Sequence, residues 1–178
     1  FDCGKTENEL ITLAHCAEVE AGTGLGDVVA QARGGLPIRI DPGSPSHGHL
    51  DGLPARPRIE YVTFGEVSTE EVLAGDTDAL TLAGESALSR LLERPTVEQF
   101  IAVSRTFAEE ADLLTDEVAD AIAAVDDAGG DAAMAMLGNT VFATGDGLSA
   151  AGYDPHQCDT DSAGARLRED NTDTADTT

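Results

Sequence analysis

Four side chains within residues 15–39 could do chemistry together: His15, Glu18, Asp27 and Arg39. They bring an imidazole, two carboxylates and a guanidinium to either side of a turn containing Gly22, Gly24 and Gly26. His15 and Glu18 are three positions apart, so on a helix they share one edge and can face one ligand. Asp27 follows the turn directly, where a second helix is expected over 27–33 before Gly34 stops it. A helix start offers unpaired N–H groups and a positive dipole end, and the glycines let a ligand reach bare backbone. A carboxylate fixed in that setting is suited to orienting a hydroxyl for attack on a phosphate. Arg39 is the candidate for a substrate carboxylate, because its planar fork matches that group in two-pronged geometry; pairing with Asp41 is the plainer use. The plainer uses of the others are a helix-start residue for Asp27, a solvated acid for Glu18, and a packed or surface side chain for His15.

These residues need elements to hold them. Thr6 and Glu9 form a capping box that opens a helix reaching Glu20, with Leu10, Leu13, Ala14 and Ala17 as its apolar face. A strand is expected over 36–40, then a Pro/Gly/His loop to residue 57 with a short strand at 49–53. Residues 58–64 read as a strand apolar enough on both faces to lie inside a sheet. Helices are expected at 69–74, where Ser68 with Glu71 makes a second capping box, and at 78–92, 97–111 and 116–125. Strands follow at 135–144 and 165–168, and residues 169–178 have nothing to bury. Strands separated by helical pairs predict an α+β fold with helices covering an antiparallel sheet.

The chain has 178 residues and a net charge of −24, with Lys5 its one lysine. Such a surface repels nucleic-acid phosphates and anionic lipid, so neither is an expected partner. Molar salt shrinks the Debye length to about 3 Å and relieves the self-repulsion, so we read the composition as adaptation to a high-salt cytoplasm. Cys3, Cys16 and Cys158 have no metal-site spacing and are expected to be buried or incidental thiols. No apolar run is long enough to span a bilayer and no signal-peptide pattern is present, which predicts a cytoplasmic protein.

Gly22-Thr23-Gly24-Leu25-Gly26-Asp27 followed by Gly34-Gly35 resembles the catalytic-aspartate segment of the GHMP-superfamily small-molecule kinases. Within that superfamily, Ala14-His15-Cys16-Ala17-Glu18-Val19, the Asp27-Val28-Val29-Ala30-Gln31 run and Pro42-Gly43-Ser44-Pro45 are similar to the archaeal pantoate kinases. Ser68-Thr69, Ser104-Arg105-Thr106-Phe107-Ala108 and Gly138-Asn139-Thr140-Val141-Phe142-Ala143 continue the likeness in order. The resemblance implies a two-domain GHMP fold, with residues 1–57 the end of the N-terminal domain, 58–168 a ferredoxin-like C-terminal domain and 169–178 a disordered tail. It implies ATP-dependent phosphorylation of the primary hydroxyl of pantoate on the route to coenzyme A. Asp27 would then polarise the hydroxyl, Glu18 would hold Mg²⁺, and His15, Arg39 and Thr69 would contact the substrate.

The family's ATP-phosphate loop, of the type Pro-x-x-x-Gly-Leu-Gly-Ser-Ser-Ala, does not occur in these residues, so a segment inactive by itself is expected. Gly138-Asn139-Thr140 resembles the third, Gly-rich motif with fewer glycines than many relatives carry, while Ser104 and Arg105 read as ordinary helix residues. Family members are often homodimers, which makes that the candidate assembly. The alternatives are a GHMP kinase for another small alcohol, of mevalonate or homoserine type, and a non-catalytic metabolite-binding paralogue.

Overall fold

The computed structural model describes residues 3–24, 26–65, 77–136 and 138–166. The helix expected at 69–74, Thr69 itself and the tail at 169–178 lie outside the described residues.

Helix α1 (Glu7–Glu20) opens on the expected capping box: Glu9 N–H donates to Thr6 Oγ1 at 3.3 Å and Thr6 N–H donates to Glu9 Oε2 at 2.7 Å. Its apolar stripe does not pack inward. Leu10 and Leu13 are 44% and 53% exposed, and no residue of the helix is buried. Ile11, His15 and Glu18, at spacings of four and three, form the half-buried face instead. Helix periodicity fixed which residues share a face, but which face turns inward depends on the neighbouring element.

Helix α2 (Asp27–Arg33) starts and stops where expected, followed by a hairpin of β1 (Leu36–Asp41) and β2 (His49–Leu53). The ladder slips between Arg39 and Asp41, and a bulge of this kind re-aims the side chains beside it. The hairpin packs through Ile38 and Leu53 onto Leu91 and Val103 of α3 (Thr77–Glu93) and α4 (Val97–Glu110).

The second sheet is wholly antiparallel, in the order β4 (Ala132–Met134), β5 (Asn139–Thr144), β3 (Arg58–Gly65), β6 (His156–Asp159). As expected from its two apolar faces, β3 lies inside the sheet. Helix α4 and helix α5 (Asp116–Asp127) begin on Thr96 and Thr115, whose hydroxyls accept from Gln99 and Val118 N–H. Val118, Ala121 and Val125 of α5 meet Ala132, Val141 and Ala143 of the sheet and Leu148 of the single turn α6 (Gly147–Ala150), all at 0% exposure. Arg105 fastens this layer by a bidentate pair to Asp126, at 2.8 and 2.6 Å.

Two strand expectations are corrected. Residues 135–144 are not one strand, because Gly138 N–H donates to the Ala135 carbonyl and reverses the chain between β4 and β5. The last strand among the described residues lies at His156–Asp159, and Ala165 and Arg166, the described part of the run expected at 165–168, are not in a strand. Residues 161–165 instead clasp α2: Gly35 N–H donates to the Asp161 carbonyl at 2.8 Å and Ala165 N–H to the Gln31 carbonyl at 3.0 Å. Gly164, at φ 65°, lies so close to the Ala32 carbonyl that no β-carbon fits. The three cysteines are exposed and unbridged, which leaves the incidental rather than the buried alternative. No helix among the described residues is long and apolar enough to cross a membrane.

Glu60 is the one acid of β3 and is 0% exposed. Its carboxylate accepts from Ser149 N–H (2.9 Å), Ser149 Oγ (2.7 Å) and Gln157 Nε2 (3.0 Å), joining β3 to α6 and β6. Burial pushes its pKa up, but the bonds from Ser149 and Gln157, with Arg58 nearby, outweigh that and hold it below 4.5. A lowered folded value means a stabilisation fully present above the unfolded pKa and lost as pH falls through the folded one. Glu60→Gln should therefore cost about 2 kcal/mol at neutral pH. Urea melts between about pH 6 and pH 3 should show the variant losing less stability on acidification than the parent.

Candidate active site

The turn between α1 and α2 brings the first two carboxylates together. Thr23 N–H and Thr23 Oγ1 both reach back to the Glu18 carbonyl, at 3.1 and 3.3 Å, and close the end of α1. Gly24 is buried, and a β-carbon there would lie 2.7 Å from Glu18 Oε1 and 3.0 Å from Asp27 Oδ2. The two side chains thus face each other across the space that only a glycine leaves open. Gly26 caps α2 at φ 116° with no side-chain bond, and Asp27 occupies the first helical position. The helix-start reading of Asp27 therefore acquires no capping role: its carboxylate makes no hydrogen bond or ion pair among the described residues.

Arg39 arrives from β1. Its guanidinium packs on Gly26, with Cζ 2.8 Å and Nη2 2.9 Å from where a β-carbon would stand, and Nη2 donates to the Gly43 carbonyl at 3.2 Å. The plainer alternative, an Arg39–Asp41 pair, does not occur among the described residues, where Asp41 lies 3.9 Å from His49. His15 is half-buried one turn before Glu18. Nδ1 of His15 and Oε2 of Glu18 are buried with no hydrogen-bond partner among the described residues. The structure thus gathers Glu18, Asp27 and Arg39 around two neighbouring glycines, with His15 on the same helix edge.

The sequence reading passed over the loop at 42–48. Ser44 is buried at 5% exposure, its carbonyl accepts from His47 and Gly48 N–H, and Ser46 Oγ lies 3.3 Å from Thr12 Oγ1. The loop therefore ties α1 to the strand that carries Arg39. Its signal was the Pro42-Gly43-Ser44-Pro45 run, taken only as a likeness.

Asn139 and Thr140 serve the fold. Thr115 Oγ1 donates to Asn139 Oδ1 at 2.6 Å, and Thr140 Oγ1 bonds Thr63 Oγ1 at 3.0 Å. Ser104 Oγ donates to the Phe100 carbonyl, so it and Arg105 are ordinary helix residues as expected. Among the described residues no group of three or more His, Cys, Asp and Glu side chains could hold a metal ion.

No family model matches the chain. Three curated pantoate kinases do. That of Thermococcus kodakarensis is 40% identical over 134 residues, covering 74% of this chain and 45% of its own length. The Methanocaldococcus jannaschii protein is 35% identical over 147 residues (78% and 54%), and the Methanospirillum hungatei protein 34% over 137 residues (77% and 46%). The chain spans about half the length of the curated relatives it matches. Among solved structures, a phosphotransferase related to the coenzyme A biosynthesis pathway superposes with a TM-score of 0.74 at 31% identity, over 88% of this chain and 55% of that one. Homoserine kinase from Cytophaga hutchinsonii superposes at 0.52 with 17% identity, over 84% and 52%, and shows the fold alone.

Gly24→Ala tests whether the two carboxylates work as a pair. The added methyl meets flexible side-chain ends, so circular dichroism and thermal midpoint should hardly move. In the reading in which Glu18 holds a divalent cation beside Asp27, Mn²⁺ affinity, read by paramagnetic broadening of resonances around the two residues, should fall about tenfold as the carboxylates are pushed apart.

Proposed function

We propose that the chain belongs, over the part it spans, with the pantoate kinases to which it is 34–40% identical, and that it serves in transfer of the γ-phosphate of ATP to the primary hydroxyl of pantoate. The observation that carries this reading is the placement of Glu18, Asp27 and Arg39 around Gly24 and Gly26. In this reading residues 1–57 furnish the catalytic-aspartate portion and residues 58–168 the C-terminal domain.

Asp27 accepts a hydrogen bond from the acceptor hydroxyl and draws its proton as the oxygen attacks phosphorus. With no partner of its own among the described residues, its carboxylate is available for that bond. Arg39, held by the Gly43 carbonyl and backed by Gly26, grips the substrate carboxylate and fixes the distance from that end of the molecule to the hydroxyl. His15 offers a buried, unpartnered Nδ1 as a hydrogen-bonding contact.

The pair of Glu18 and Asp27 fits Mg²⁺, which takes one or two carboxylates and completes its shell with water and phosphate oxygens. Oε2 of Glu18, buried without a partner, supports that fit. When bound, Mg²⁺ would neutralise charge on the transferring phosphoryl group. Glu18 would hold it, and Asp27 would keep its second oxygen for the hydroxyl.

The test is an ATP-dependent phosphate-transfer assay with pantoate, using the protein as its gene encodes it. Asp27→Asn should lower kcat by about a hundredfold or more with little change in the Michaelis constant for ATP. Arg39→Lys should raise the Michaelis constant for pantoate by about tenfold and leave that for ATP nearly unchanged. An Asp27→Asn enzyme that keeps most of its turnover would remove the catalytic assignment.

A further inference from the structure

We propose that the chain carries a second anion site at the far end of α2, for a metabolite bearing a phosphate or carboxylate group. A cavity of about 330 Å³ opens there, lined by Arg33, Gly34, Gly35, Gly52, Arg56 and Ser162, with the apolar residues at 36 and 53–55 completing its wall. Nη2 of Arg33 lies over Gly52, 3.6 Å from where a β-carbon would stand.

Neither guanidinium makes a hydrogen bond or ion pair among the described residues, whereas Arg105 and Arg166 each close a pair with an aspartate. The side chains of Arg58, Arg90 and Arg94 are likewise unpaired among the described residues; what sets Arg33 and Arg56 apart is that both line one cavity, in a chain with 34 acids and 10 Lys and Arg residues. The acids at the rim are engaged elsewhere. Asp51 Oδ1 accepts from Gly52 N–H at 2.7 Å. Asp161 accepts from Ala163 N–H and pairs with Arg166 at 2.9 Å; Arg56 contributes only its field to the lowering of the Asp161 pKa. Two cations, a hydroxyl and side-chain-free backbone are the groups that recognise a phosphate or carboxylate. The C-terminal end of α2 opposes an anion weakly, and Arg33 stands in its last turn to offset it.

This site is separate from the candidate active site. Asp27 opens α2 and Arg33 closes it, so the two ends are about 9 Å apart along the axis. The inference does not rest on the kinase reading.

The experiment is an amide-shift titration of the ¹⁵N-labelled chain with inorganic phosphate and, separately, with acetate, at fixed KCl. Saturable shifts are expected at Gly34, Gly35, Gly52 and Ser162 and at the Nε–H of Arg33 and Arg56, and the tighter-binding anion names the class of ligand. Arg33→Gln with Arg56→Gln should weaken binding about tenfold or more, Arg33→Gln alone should weaken it less, and Arg90→Gln, on the exposed side of α3, should leave it unchanged. The absence of saturable shifts with either anion, equal binding by the double variant, or loss of binding on Arg90→Gln would each overturn the proposal. Pantoate turnover is a separate measurement, so either reading can fail without the other.

Discussion

The constraint on which the rest depends is the lack of side chains at Gly24 and Gly26. The positions where β-carbons would stand are contested by Glu18 and Asp27 at one and by Arg39 at the other. Two anions and a cation from three elements can converge only because the turn between α1 and α2 has no volume there. Gly26 also has a positive φ, which an L side chain adopts only with strain. The glycines are therefore the floor of the site as well as its hinge, and the charges are placed by what the floor omits.

The surroundings serve that placement. The bulge after Arg39 and the carbonyl of Gly43 direct a guanidinium that a regular strand would leave free to sweep. Below the hairpin, the cluster of Ile38, Leu53, Leu91 and Val103 joins the strand of Arg39 to the two long helices, so the site stands on a packed base. Farther away, Glu60 is a buried charge held by three donors, and its network fixes the edge strand from which the clasping segment departs.

Much of this could be read from residue order. The capping box at Thr6 and Glu9, the short helix from Asp27 to Arg33 and the interior strand at β3 rest on local rules, and the fold is α+β as its pattern of elements implied. What failed was decided by tertiary context. Leu10 and Leu13 have the spacing of a core face, yet the polar edge with His15 and Glu18 turns toward α2. The run at 135–144 has strand composition throughout, but its first residues form the turn that leads from β4 into β5. Glu60 gave no sign of burial, because its donors lie at Ser149 and Gln157. For the site, residue types and family order pointed to Glu18, Asp27 and Arg39; the loop at 42–48 escaped because its role lies in backbone carbonyls, which carry no residue identity.

The clasp on α2 bears on how the chain reaches its native state. The short helix that presents Asp27 is held from outside by Ala165 N–H, which donates to the Gln31 carbonyl, and by the Asp161 carbonyl, which accepts from Gly35 N–H just past its end, both more than 120 residues downstream. Seven residues are too few to hold a helix in water by themselves. During synthesis, residues 27–33 would therefore emerge before residues 161–165, with the chemistry-bearing segment still unsettled. It can lock only after the second sheet has closed and its trailing strand has delivered the strap, a contact of high sequence separation whose cost in chain entropy falls late in folding.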